Sequence, residues 1–142
     1  MALVTGVTKR MGKIADGSTI SDYDKEEVKR QFSISTSLVP LEYNGENGPI
    51  KINLLDTPGY FDFVGEVEEA VSAADAAIIV VNCKAGIEVG TEKAWDLCEE
   101  YKLPRIIFVT NMDDDHASFR ELILKLEKKF GRKIRSVPGT DP

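Results

Sequence analysis

The chain has 142 residues, a net charge of −6, 42% apolar and 30% charged residues, and two cysteines. Those values describe one globular domain with a real core. They disfavour broad, salt-driven binding to nucleic acid, and no apolar run approaches the length of a membrane span. The first residues, MALVTGVTKRMGK, place basic groups after the apolar part, the reverse of a secretory signal. Cys83 and Cys98 lack metal-ligand spacing, so reduced thiols in the cytoplasm are the expectation.

The polar stretch through Ser37 reads as a long loop with one helical turn near DKEEVKR. Loops of that length inside compact domains are commonly functional. SLVPLEY and IKINLLD, separated by NGENGP, then read as two strands of a hairpin. From Asp62 the period changes: Phe63, Val67, Ala70, Val71 and Ala74 share one helical stripe, with Glu66, Glu68 and Glu69 mostly off it. AAIIVVN is a near-continuous apolar strand, the kind buried on both faces. EVGTEKAWDLCEEYK follows as a helix, PRIIFVT as a second buried strand, and DHASFRELILKLEKKFG as an amphipathic helix closed by Gly131. Trp95, at helical spacing with Leu97, Cys98 and Tyr101, is expected to pack in the core or between helix and sheet. The run from Arg120 to Arg135 holds seven basic residues against two acidic ones and reads as a solvated helix face. The tail from 132 to 142 is loop-like. Alternating strands and helices predict one doubly wound α/β sheet of four visible strands, with ligands at the C-terminal strand ends.

Two segments sit just past such strand ends. DTPG, Asp56 to Gly59, has the form of a phosphate-sensing loop. Its aspartate can face a hydrated metal ion, and its glycine lets a backbone N–H approach a terminal phosphate. NMDDD, Asn111 to Asp115, follows PRIIFVT. A strand-ending turn at Pro58–Gly59 is the plain alternative for the first segment. Helix capping is the plain alternative for the second, with Asp115 as the expected cap. Lys9, Arg10, Lys13 and His116 are expected to be solvated.

The ordered series TGVTKRMGKIADGSTISDYDKEE, KRQFSIS, DTPGYFDFVGEVEEAVSAADAAIIVVNCKAGIEVGTEKAW and LPRIIFVTNMDDDHASF resembles the nucleotide-binding domain of elongation factor G and related translational GTPases. The likeness runs to about Gly131. It implies a Ras-like P-loop NTPase fold: a doubly wound, mostly parallel sheet with one antiparallel hairpin. The whole chain, 1–142, would then be a partial GTP-binding domain. Residues 1–37 would form the switch I-like loop region, 38–131 the sheet and helices, and 132–142 a tail.

The resemblance also implies site residues. Asp56 would contact Mg²⁺ through water, and the Gly59 N–H would reach the γ-phosphate, with Thr57, Pro58 and Tyr60 completing the loop. KRQFSIS is similar to the first switch signature, and Ser33 takes the place of its metal-binding threonine. Serine keeps the ligating oxygen but loses the methyl group that stiffens χ1. Thr110, Asn111, Met112 and Asp113 would form the guanine-reading loop, with the Asp113 carboxylate accepting two N–H groups from the base. That ungapped register keeps Ala117 and Phe119 aligned. A one-residue shift would instead make Asn111 the asparagine and Asp114 the aspartate.

The sequence also departs from the family pattern. Tyr60 stands where the catalytic histidine is usual. A phenol holds its proton far above neutral pH and is a poor base, so slow or conditional hydrolysis is expected. Thr110 and Asn111 replace the usual asparagine and lysine, which bears on base selectivity. No Gly-x-x-x-x-Gly-Lys-Ser/Thr occurs; GVTKRMGKI, Gly6 to Ile14, has the wrong spacing, and Ile14 replaces the metal-binding hydroxyl. MALVT resembles the end of the helix that follows the phosphate loop, so an N-terminally truncated domain lacking its central strand is expected. Such a chain would bind GTP or GDP weakly or not at all and could self-associate through exposed strand edges. The implied parent acts on the ribosome, in the cytoplasm, with GTP/GDP and Mg²⁺. The alternatives are a ribosomal protection protein, an inactive interaction module descended from a GTPase, and a receiver-type metal-binding domain, which DTPG fits poorly.

Overall fold

The computed structural model describes residues 1–114, 117–131 and 134. Asp115, the expected cap, His116 and the tail residues 132, 133 and 135–142 lie outside the described residues. The Cα positions cluster into two units, 1–74 and 75–142.

In the first unit, residues 1–24 run mostly as turns and loop, and helix α1 spans Lys25–Arg30. Gly12 has a steric reason to be glycine: a Cβ there would meet the Ser18 carbonyl oxygen at 2.4 Å. That contact accounts for one of the two glycines in GVTKRMGK without any phosphate. Asp24 starts α1 with its carboxylate accepting from the Glu26 N–H at 2.7 Å, while the Glu27 side chain reaches back to the Asp24 N–H at 3.4 Å. The reciprocal arrangement satisfies donors that the helix itself cannot.

Strands β1 (Ser37–Gly45) and β2 (Gly48–Asp56) pair antiparallel around the two-residue turn Glu46–Asn47, with Gly45 opposite Gly48. The strands are longer than the flanking Asn and Gly residues suggest, because Asn44 and Pro49 still pair across the ladder. Ser37, Val39 and Leu41 point inward, and Leu38 and Pro40 outward, the period of two that a one-sided hairpin requires. After β2, a 3₁₀ turn at Phe61–Phe63 leads into α2 (Val64–Ala73). Ala70 of the expected stripe is buried, and Phe63, Val67, Val71 and Ala74 are half-buried.

The second unit is built on a β-α-β segment. Strands β3 (Ala77–Asn82) and β4 (Arg105–Thr110) pair parallel, and α3 (Val89–Glu100) connects them and packs against β3. Helix α4 (Phe119–Phe130) follows, and Gly131 closes it in a positive-φ conformation, its N–H bonding to the Glu127 carbonyl. The N-cap is Ser118, which accepts from the Glu121 N–H at 3.4 Å, three residues beyond the expected Asp115. Ile79, Val81, Cys83, Cys98, Leu103, Leu122 and Leu126 are the buried apolar residues of this unit. Trp95 stacks on Phe130 at 4.3 Å, and the Arg105 guanidinium lies 3.9 Å from the Trp95 ring, which bears out packing between elements. Lys129 is not simply solvated, since it pairs with Glu92 at 2.7 Å. Both cysteines are free and buried.

The four strands form two two-stranded sheets, β1–β2 and β3–β4, in accord with the expected loss of a central strand. One expectation needs correction. Among the described residues, β3 and β4 are buried on one face only. Ile79 and Val81 point inward, whereas Val80, Ile106 and Phe108 are each about 60% exposed, with Ile78 beside them. Strands of this composition are expected to be buried on both faces, and here the second face is exposed among the described residues. No helix among the described residues is long and apolar enough to cross a membrane.

Candidate functional site

The DTPG segment begins where β2 ends. Asp56 is the last strand residue, paired with Ser37, and it is exposed. Thr57 is half-buried and Pro58 buried, so the proline anchors the loop while Gly59 and Tyr60 face outward. A Cβ at Gly59 would meet nothing within 4 Å, leaving its backbone open to approach from solvent.

Ser33 lies in the loop after α1. Its hydroxyl donates to the Asp22 carboxylate at 2.6 Å, and the other Asp22 oxygen accepts from Thr19 at 3.1 Å. Donating that proton leaves the lone pairs of the Ser33 oxygen available for a cation. The loop itself is pinned by carboxylates. Glu27, only 3% exposed, accepts from the Ile34 N–H at 2.9 Å and the Ser35 N–H at 3.1 Å. Glu66 accepts from the next N–H, that of Thr36, at 2.6 Å.

These two loops meet. A cleft of about 280 Å³ is lined by Ile14, Asp22, Gln31, Phe32, Ser33, Gly59 and Tyr60. The Phe32 and Tyr60 rings are 4.7 Å apart, with Phe63 6.4 Å from Phe32. The serine of KRQFSIS and the glycine of DTPG, 26 positions apart, thus share one opening. Sequence reading did not single out Asp22, Glu27 or Phe32. The capping pattern Asp24-x-x-Glu27 was the signal that could have marked Glu27.

The second candidate segment belongs to the other unit. Thr110 ends β4, its hydroxyl 3.5 Å from the Val81 carbonyl. Asn111 has φ +55°, a left-handed conformation that asparagine tolerates better than most residues. Met112 and Asp113 are exposed. Asp114 instead pairs with Lys84 at 3.0 Å. Lys84 comes from the turn after β3, where the Asn82 side-chain oxygen accepts from the Lys84 and Ala85 N–H groups.

No group of three or more His, Cys, Asp or Glu side chains suited to a metal occurs among the described residues. The Cys98 thiol is pushed above its ordinary value by burial, partly opposed by Arg105, with Glu99 adding to the rise. Buried at 1% exposure, it serves packing.

An α/β fold with an antiparallel hairpin and a parallel β-α-β segment, bearing loops at its strand ends, is a partial fold of the P-loop NTPase class. Within that class the family is shown: the elongation factor Tu GTP binding domain matches residues 1–140, and the chain belongs to that family. It is an elongation-factor-G-like G-domain fragment. It is 36% identical over 128 residues to an elongation factor G-like protein of Mycobacterium tuberculosis, covering 90% of this chain and 17% of that one. It is 39% identical over 130 residues to a mitochondrial ribosome-releasing factor 2 of Drosophila ananassae, covering 92% and 17%. The chain therefore spans less than a fifth of the length of these relatives. A crystal structure of a Thermus thermophilus protein superposes with a TM-score of 0.84 at 38% identity, over 92% of this chain and 19% of that one. Bacterial selenocysteine-specific elongation factor, at 21% identity and a TM-score of 0.68 over 82% of this chain and 21% of that one, shares the fold.

Proposed function

We propose that this chain carries the two phosphate-sensing loops and the base-side loop of a guanine-nucleotide switch. The parent translation factor would bind GTP with Mg²⁺ and act on the ribosome in the cytoplasm. The observation that carries this reading is the cleft holding both Ser33 and Gly59. Ser33 would offer its hydroxyl oxygen to Mg²⁺ and Asp56 would reach the ion through water, the oxygen-only, partly hydrated set that this cation prefers. Bound there, Mg²⁺ would neutralise charge building between the β- and γ-phosphates. Gly59 would give its N–H to the γ-phosphate, with Thr57 and Pro58 holding the loop's path. Tyr60 would orient water at the mouth of the cleft without acting as a base, so turnover would be slow or conditional.

On the base side, Asp113 is the guanine acceptor in the ungapped register. Its exposure supports that choice, because Asp114, the acceptor in the shifted register, is engaged with Lys84. Thr110, Asn111 and Met112 would shape the base pocket. Loss of the γ-phosphate would release KRQFSIS and DTPGYFDF together, an order–disorder switch.

The test is binding of fluorescent GDP and GTP with Mg²⁺, by this chain and by a version carrying a Gly-x-x-x-x-Gly-Lys-Ser/Thr loop and its strand ahead of Met1. Binding by the extended version alone is the expected result, because the N–H nest and lysine that hold the β-phosphate are missing from this sequence. No binding by either would support the inactive interaction module instead.

A further inference from the structure

We propose that Glu66 is a positioning residue that ties the Ser33 loop to the DTPG loop, so that a displacement of one is passed to the other. This rests on the reading of those loops as a nucleotide switch, but its geometry stands without nucleotide. The segment just after Ser33 presents three successive backbone N–H groups, from Ile34, Ser35 and Thr36. All three are taken by carboxylates. Glu27 of α1 holds the first two, and Glu66 of α2 holds the third at 2.6 Å. The grip at Thr36 is two-point, since the Thr36 hydroxyl also donates to the Glu66 backbone carbonyl at 3.0 Å.

The two carboxylates differ in what carries them. Glu27 rides on the helix that leads into the Ser33 loop, so it fixes that loop against its own stem. Glu66 sits in the first turn of α2, and α2 continues directly from the DTPG loop. The Phe63 N–H bonds to the Tyr60 carbonyl at 3.1 Å, closing the 3₁₀ turn that joins Tyr60 to the helix start. From Tyr60 to Glu66 the backbone is thus short and regular. A shift of the loop carries the Glu66 carboxylate with it, and the Thr36 N–H and hydroxyl must follow or lose both bonds. A buried or half-buried N–H left without its charged acceptor is costly, which gives the link its stiffness.

Backbone hydrogen exchange on the full chain, without nucleotide, tests the link. The rate at Thr36 is read relative to the amides of β1 and β2, so that a variant of lower overall stability moves both and leaves the ratio unchanged. Glu66→Ala is expected to raise the relative rate at Thr36 by roughly tenfold or more. Glu66→Gln keeps an acceptor oxygen and is expected to stay within about threefold of wild type. Pro58→Gly, which loosens the DTPG loop, should speed Thr36 several-fold when Glu66 is present and clearly less in the Glu66→Ala background, where only the Thr36 hydroxyl bond to the backbone carbonyl of residue 66 remains. Pro58→Ala serves the same purpose as a milder change. An unchanged Thr36 ratio in Glu66→Ala overturns the proposal, as does full additivity of the two substitutions. Failure of the nucleotide titration would overturn the switch reading and leave this coupling intact.

Discussion

Replacing Glu27 by alanine removes the acceptor that fixes the loop after Ser33. The carboxylate is 3% exposed and takes the Ile34 and Ser35 N–H groups at 2.9 and 3.1 Å, with a longer bond to Asp24 at 3.4 Å. A hydrogen bond to a charged group is worth about 1.5–3 kcal/mol, and a buried donor left unpaired costs about 1–3 kcal/mol. The two sites do not lose equally. Ser35 is exposed, so water takes over most of its share, whereas Ile34 is half-buried. The net loss of local stability for Glu27→Ala is therefore about 2–3 kcal/mol. Hydrogen exchange at Ile34 should accelerate by roughly 30- to 150-fold, at about 1.4 kcal/mol per factor of ten, and at Ser35 by less. Glu27→Gln retains a neutral acceptor of about half the strength, and its loss should be about 1–1.5 kcal/mol. The reasoning is refuted if Glu27→Ala changes those rates by less than about twofold, or if the glutamine variant behaves like the alanine one.

Leu126 is 0% exposed on α4, so Leu126→Ala should cost about 3 kcal/mol. Trp95, stacked on Phe130 of the same helix, reports the urea transition by its fluorescence, and an unchanged midpoint would contradict the packing. The Cys98 thiol is raised by burial, so the folded state keeps that proton at pH values where the unfolded chain releases it. Its contribution is fully present below the ordinary thiol range, about 8.5–9, and is lost as pH rises through the folded value. The decline in stability above that range should be shallower in Cys98→Ala, as measured by denaturation at a series of pH values. Val80 and Phe108 are 60% and 58% exposed, so Val80→Lys with Phe108→Glu should change stability by no more than about 0.5 kcal/mol each. The same pair should reduce self-association in sedimentation, and equal association would show that this sheet face is not the sticky surface.

Much of the fold was legible in local pattern. The alternation in SLVPLEY, the Asn and Gly cluster, and the apolar stripe from Phe63 to Ala74 each describe a single element, and each element formed where its period indicated. The end of α4 was legible too, because Gly131 adopts a conformation that other residues resist. Its beginning was not. Three aspartates and a serine all make acceptable caps, and only the path of the chain selects Ser118. The phosphate-sensing character of DTPG could be proposed from residue types and spacing. Its neighbours could not, because Asp22 and Glu27 look like ordinary surface carboxylates in a polar stretch.

By itself the sequence determined the elements, their order, the family motifs and the absence of a Gly-x-x-x-x-Gly-Lys-Ser/Thr loop, since each of these depends on residues close together in the chain. Tertiary structure alone decided which strands found partners and what Ser33 touches. AAIIVVN has the composition of a strand buried on both faces, yet burial is a property of what lies against a face, and here one face is exposed among the described residues. The three N–H groups after Ser33 likewise acquire their carboxylates from α1 and α2, one 7 residues before Ile34 and one 30 residues beyond Thr36. Composition and period register what a segment can bury or bond; only packing in three dimensions supplies the partner.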